Sequence, residues 1–274
     1  VLKFLKANLK NSNLMKTALI TGASFGIGES FARELASRQT NLVLVARSKE
    51  KLDQLAQQLQ EKHQIKAEVI VKDLTEPGST QAVFDEVTQK GITIDLLVNN
   101  AGLGDYGLFV ERDLQKQVKI IQLNVIALVE MSHLFLKAMK QRGSGSIINV
   151  ASIAGYQPIP YMSIYSSTKA FVLHFSEALW AENQDAGIHI LALCPGPTES
   201  NFFEAAEFPS SLGGGGKLVT AKEVVVEALK ALEKNQSTLV TGGLGNHIIA
   251  NISRFVPRDL VVSMVEKQFK TPKQ

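Results

Sequence analysis

"TALITGASFGIG", residues 17–28, is the stretch that decides the fold of this chain. A short run of apolar and β-branched residues leads straight into a glycine-rich turn. The turn opens "GIGESFARELASR" (26–38), which reads as a helix. Strand, glycine turn and helix in that order begin a parallel α/β unit. Gly22, Gly26 and Gly28 let the backbone turn tightly and approach a ligand closely. The helix N-terminus offers free N–H groups and a positive dipole end, a seat for a pyrophosphate. Ser24, Phe25 and Ile27 complete that loop. The spacing is G-x-x-x-G-x-G rather than the common G-x-G-x-x-G, and no G-K-[ST] follows, so the turn is not a P-loop.

Outward from this turn the same alternation recurs. Strands are expected at 41–47, 67–73, 94–102, 145–152, 188–196 and 237–242. Helices are expected at 48–63, 79–90, 114–141, around Tyr165 and at 221–234. The strand runs are nearly continuous in hydrophobicity, as strands buried on both faces are. The expected fold is therefore α/β, a single domain over 15–242. Its core is a Rossmann-type doubly wound parallel sheet of about seven strands flanked by helices. Ligands of such sheets bind beyond the carboxyl ends of the strands. Residues 243–274 read as a helical tail of two amphipathic stretches parted at Pro257, placed to cap the pocket or pack. Residues 1–14 read as an N-terminal extension. There Leu2, Leu5 and Leu9 form a helical stripe among Lys3, Lys6 and Lys10. A short peripheral helix is expected, with a basic membrane-touching helix as the alternative.

Composition narrows the class. The chain has 274 residues, enough for one large domain. Its net charge of +3 comes from 29 basic and 26 acidic residues, without a dense basic block, so no nucleic-acid partner is indicated. Cys194 is the single cysteine, which excludes internal disulfides and cysteine-based metal clusters. It sits in the apolar run "HILALCPG" and reads as a core residue. The five histidines show no metal-ligand spacing. A cytoplasmic enzyme with no integral membrane association is expected.

The end of the second strand selects the cofactor. A NAD site places a carboxylate there for the ribose 2′-hydroxyl, whereas a NADP site needs a cation. The sequence reads "VLVARSKEK", with Ala46 where the acid would stand, followed by Arg47 and Ser48. A guanidinium takes a 2′-phosphate bidentately, so NADPH is expected. At the third strand end, "VKDLT" offers Asp73 toward the adenine amine, beside Leu74.

Tyr165 and Lys169 in "IYSSTKAF" share a helix face one turn apart. A phenol titrates near pH 10, too high for ready proton exchange at neutrality. A neighbouring ammonium, together with a positive nicotinamide ring, favours the phenolate, so Lys169 and the cofactor are expected to lower the Tyr165 pKa. Ser152 stands thirteen residues before Tyr165 at a strand end. It lacks the G-x-S-x-G context of a serine hydrolase.

Taken together, "TGASFGIG", "NNAG" (99–102), Asn124 in "QLNVIA", Ser152 in "VASIAG", "YSSTK" (165–169) and "PGP" (195–197) resemble the short-chain dehydrogenase/reductase family. The resemblance runs from about Thr17 to Val240, and the tail resembles that of a bacterial reductase group called DltE-like. It implies that Tyr165 is the general acid/base, that Tyr165 also contacts the cofactor, and that Lys169 also binds the nicotinamide ribose. Ser152 then holds the substrate carbonyl oxygen, and Asn124, at a break in the 114–141 helix, holds a water leading from Lys169 to solvent. Asn100, Ala101 and Gly102 serve the adenosine side, while Pro195, Gly196 and Thr198 pass near the nicotinamide. A homodimer or homotetramer through the helices 114–141 and 165–186 is also implied.

The substrate is expected to be a small carbonyl or alcohol compound of apolar character, met by the loop 153–164, the segment 197–218 and the tail. Phe202, Phe203 and Phe208 supply aromatics, and glycines 213–216 read as a lid hinge. The expected activity is NADPH-dependent interconversion of a ketone and a secondary alcohol. The rival is a non-catalytic NADP-binding redox sensor.

Overall fold

A computed structural model describes residues 16–209 and 218–270. The N-terminal extension and the glycine hinge at 213–216 lie outside the described residues.

In chain order the elements begin β1 (Thr17–Thr21), α1 (Gly26–Ser37), β2 (Asn41–Ala46), α2 (Lys49–His63), β3 (Ala67–Val71), α3 (Ser79–Gln89) and β4 (Leu96–Asn99). Then come α4 (Leu114–Ile121), a π-helical turn (Gln122–Ala127), α5 (Leu128–Arg142), β5 (Gly145–Val150), α6 (Ser163–Glu182) and β6 (Ile188–Cys194). The last are the single turn α7 (Phe202–Ala205), α8 (Ala221–Glu233), β7 (Thr238–Val240), α9 (Leu244–Ile252) and α10 (Arg258–Phe269). All seven strands are parallel, in the order β3-β2-β1-β4-β5-β6-β7. The chain reverses direction across the sheet between β1 and β4, which opens a crevice at their carboxyl ends.

The period-2 alternation of strand side chains divides the core into two layers. Ala18, Ile20, Leu42, Leu44, Leu96 and Val98 pack with Phe31, Leu35, Leu52 and Leu229 of α1, α2 and α8. Leu19, Val43, Val45 and Leu97 face the other way, onto Val83, Met131, Phe135 and Met139 of α3 and α5. The central strands β1, β2 and β4 are thus apolar on both faces, which is why no alternation shows in their sequence.

The strands expected from hydrophobicity run past the observed ends. The 94–102 run stops pairing at Asn99, because the Asn100 amide turns back to the Val98 carbonyl at 3.1 Å. The residues beyond each strand are loops, and those loops build the site.

A polar row crosses the apolar sheet. Asn99 on β4 donates to Asn149 on β5 at 2.9 Å and to Ser132 at 3.0 Å; Asn149 donates to Ser176 at 2.9 Å. All four residues are buried, and each amide finds partners, so the row costs little desolvation.

Leu114–Arg142 forms one helix long and apolar enough to cross a membrane by length and composition. One flank, with Ile120, Ala127, Met131, Phe135 and Met139, is buried in the protein. The other exposes Leu114, Val118, Ile121 and Ile126.

Candidate active site

One cavity of about 580 Å³ extends from the glycine turn, past the ends of β4 and β5, to the C-terminal tail. Every site residue predicted from the sequence lines it except Gly28 and Asn124. Gly28 lies beneath the turn, where a Cβ would collide with the Gly22 carbonyl. It lets α1 start hard against the strand end rather than touching a ligand.

At the cofactor end, Gly22 and Gly26 adopt the left-handed φ values of +65° and +62° that favour glycine. Asn100 braces the turn, donating to the Thr21 and Gly22 carbonyls at 2.9 and 3.2 Å. Thr21 Oγ1 accepts from the Asn100 and Ala101 amides at 3.0 Å each. The α1 N-terminus has no side-chain cap at Phe25, so its first amides are left for a ligand. Arg47 is mostly exposed and stands 3.7 Å from the Asp73 carboxylate. Asp73 in turn accepts from the Thr75 amide and hydroxyl at 2.9 and 2.8 Å. Burial acts to raise the Asp73 pKa, but the Thr75 hydrogen bonds and Arg47 hold it below the ordinary value. A left-handed glycine turn, an uncapped helix start and an exposed guanidinium along one cavity wall fit a dinucleotide carrying a 2′-phosphate.

At the chemical end, β5 delivers Ser152 and α6 delivers Tyr165 and Lys169. Ser152 Oγ accepts from the Ala154 amide at 3.1 Å and stands beside the Tyr165 hydroxyl, whose ionised form it favours. The Lys169 ammonium donates to the Val150 carbonyl at 2.7 Å and lies 5.8 Å from the Tyr165 ring centre. A Cβ at Gly155 would lie 2.7 Å from the Lys169 carbonyl oxygen, so this glycine lets α6 seat directly on the strand-end loop.

The expected lowering of the Tyr165 pKa by Lys169 does not occur in the free chain. Burial pushes the phenol up to about 12, with only the Ser152 hydroxyl acting against it. Burial also pulls the Lys169 ammonium down to about 8. Desolvation outweighs attraction because the ammonium points to Val150 rather than to the phenol oxygen.

Asn124 lies on the π-helical turn, which makes the expected break in the 114–141 helix. Its amide oxygen accepts from the Leu103 amide at 2.8 Å. Its nitrogen donates to the Leu103 carbonyl at 2.9 Å and to Thr168 at 3.0 Å. Asn124 therefore ties the loop after β4 to the helix carrying Tyr165 and Lys169. A Cβ at Gly102 would stand 3.3 Å from the Asn124 oxygen and 3.6 Å from the Lys169 nitrogen, so the two polar ends flank this glycine.

The substrate end is apolar. Ile159, Met162, Phe202, Phe203 and Phe208 line it, and the tail closes it with Ile249 and Phe269. Tyr106 donates to the Phe269 carbonyl at 2.6 Å, which fixes the end of α10 over the pocket. Val261 and Val265 of the same helix join the cluster containing Tyr165 and Met162. Phe202 lines the cavity and also packs on the Tyr165 ring, with centroids 5.1 Å apart.

Asn246 is among the lining residues that the sequence did not single out. Asn246 of α9 enters the cavity wall and donates to the Thr241 carbonyl at 2.7 Å. Side chains at Gly196 and Gly242 would overlap its amide, so both glycines make room for it. Only the glycine in "PGP" hinted at such a close approach, and it named no partner.

A bound-in charge cluster borders the same end. The buried Asp105 carboxylate receives Arg112 bidentately at 2.8 and 2.7 Å and Lys116 at 2.7 Å. Burial acts to raise the Asp105 pKa, but the two cations hold it below the ordinary value.

Comparison with known proteins agrees with this geometry. The profile described as short chain dehydrogenase matches residues 16–208. A very-long-chain 3-oxoacyl-CoA reductase of Anas platyrhynchos is 38% identical over 185 residues, covering 65% of this chain and 58% of its own length. The chain thus spans under two-thirds of that relative. The Homo sapiens reductase of the same name is 30% identical over 256 residues, covering 90% of this chain and 78% of its own. A short-chain dehydrogenase from Sphingobium yanoikuyae, solved in complex with NADPH, superimposes with a TM-score of 0.78 at 31% identity, over 94% of this chain and 98% of its own. By its parallel seven-stranded sheet and by this match from β1 through α7, the chain belongs to the short-chain dehydrogenase family of NAD(P)H-using oxidoreductases.

Proposed function

We propose that this chain is an NADPH-dependent reductase of an apolar ketone. The observation that carries the reading is the continuity of one cavity. It joins Arg47 and the glycine turn to Tyr165, Ser152 and Lys169, then to an aromatic chamber. The nicotinamide, when bound, supplies hydride to the carbonyl carbon. Ser152 and Tyr165 hold the carbonyl oxygen where negative charge develops. A phenol kept protonated up to about pH 12 is a proton donor at neutrality, which suits the reduction direction. Lys169, bonded to Val150, orients the helix face from which Tyr165 acts. The aromatic chamber and the names of the relatives favour a long 3-oxoacyl chain among apolar ketones.

Arg47 carries the preference for NADPH. Arg47→Ala should weaken NADPH binding about tenfold or more, as loss of a charge-assisted hydrogen bond does. NADH binding should change by less than about twofold, because it has no 2′-phosphate to lose. Titration by nicotinamide fluorescence checks this. An equal loss for both cofactors would refute the role given to Arg47.

The exposed strip of Leu114, Val118 and Ile121, with Phe171 of α6 also exposed, supports assembly as a homodimer or homotetramer. Light scattering at micromolar concentration should give at least twice the mass of one chain. Leu114→Lys with Val118→Lys should shift it toward the monomer, and a monomeric wild type would end the idea.

A further inference from the structure

We propose that Glu207 is a positioning residue: its ion pairs with Arg112 and Lys116 hold the Phe202–Phe208 segment as the wall of the substrate chamber. This rests on the reading of that chamber as the site of an apolar ketone.

The anchor is built from the inside out. Asp105 is buried, and Gln117 joins Arg112 and Lys116 upon it at 2.5 Å. Two cations on one carboxylate leave a positive charge over, and both cations also turn outward to Glu207. Arg112 donates to Glu207 at 2.8 Å and Lys116 at 2.6 Å. Two acids and two bases then balance. Glu207 is itself mostly exposed, and its carboxylate turns back to these two cations. Its backbone has a φ of +55°, a left-handed conformation uncommon for a residue with a side chain. The ion pairs give a reason for that conformation to persist.

The conformation of Glu207 directs its neighbours. Its amide donates to the Glu204 carbonyl at 3.0 Å, and the Phe208 amide to the Phe203 carbonyl at 2.9 Å, closing the segment on itself. Phe208 thereby meets Tyr106 edge-on at 5.3 Å and Phe269 at 5.9 Å. At the other end of the segment Phe202 lies on Tyr165 and against Gly104, where a Cβ would stand 2.5 Å from the ring. The chain from Glu207 through Phe202 to Tyr165 is thus continuous. A charge pair on the surface sets the inner wall beside the proton donor.

Glu207→Gln is the informative change. It leaves Asp105 with both its cations, so the buried part of the cluster stays paired and the protein folds. At low salt the variant should raise KM for a bulky aryl ketone about fivefold or more, while kcat for a three-carbon ketone stays within about twofold. Glu207→Asp should recover part of that loss. High salt should move the wild type toward the variant and leave the variant unmoved, since exposed ion pairs are screened. Hydrogen–deuterium exchange of peptides covering 202–209 should be faster in Glu207→Gln. Unchanged exchange overturns the proposal. So does faster exchange with unchanged KM, because substrate would then not feel the segment. If neither protein turns over any ketone, the functional reading fails by itself, and exchange alone decides the role of Glu207.

Discussion

Tyr165→Phe should lower ketone reduction by about 10²- to 10⁴-fold, the range that a positioned proton donor contributes. The variant removes one oxygen and keeps the ring. The Phe202 contact at 5.1 Å survives, and so does the wall of the cavity. NADPH affinity should therefore fall far less than turnover, since the ring and the rest of the dinucleotide cradle stay in place. The deficit should appear in kcat rather than in KM. Absorbance of the nicotinamide during turnover, with binding measured separately, checks both parts. The outcome also separates catalysis from sensing. A redox sensor would bind NADPH and reduce nothing in wild type and variant alike. Undiminished turnover in the variant would remove Tyr165 from the chemistry.

Lys169→Met should show the opposite signs for activity and stability. The buried ammonium titrates near 8 in the folded chain against 10.5 for an ordinary lysine. Its folded pKa is depressed, so burying the charge destabilises the fold in full below pH 8. Between pH 8 and 10.5 the unfolded chain holds a proton that the folded chain has released, and that cost fades as pH rises. The difference corresponds to about 3 kcal/mol. Methionine fills similar space without charge but loses the hydrogen bond to Val150, worth about 1 kcal/mol. Near pH 7 the variant should be more stable by about 2 kcal/mol. By pH 10.5 the advantage should vanish or reverse. Urea unfolding at the two pH values tests this. A variant less stable than wild type at pH 7 would show that the ammonium is not held at a cost. Turnover should fall about a hundredfold or more in the same protein, because the bond to Val150 that orients the helix face of Tyr165 is lost.

What was legible in the sequence was local. The glycine turn, Arg47 at the next strand end, and Tyr165 four residues before Lys169 are each contained in one short stretch. Strand-helix alternation then carried the sheet, because crossovers between parallel strands take a single hand. What stayed hidden was contact between distant stretches. Glu207 meets Arg112 across 95 residues and Lys116 across 91, and neither end carries a sign of the other. Asn246 reaches Gly196 from a different element altogether. The direction of the Lys169 ammonium was hidden for a related reason. Sequence spacing shows that two groups share a helix face, but only burial and the Val150 carbonyl decide which way the ammonium points.

The polar row through β4 and β5 acts as an alignment key for the chemistry. Asn99 is paired in register with Asn149. The Asn that braces the glycine turn is the next residue along one strand, and Ser152 comes three residues along the other. A slip of one position would strand several buried amides without partners and turn alternate side chains to the wrong layer. It would also shift Ser152 by about 3.3 Å relative to the cradle of the dinucleotide. The same two asparagines therefore gauge the gap across which the hydride must travel. Changes to them should be read as changes to reach, even though neither lines the cavity.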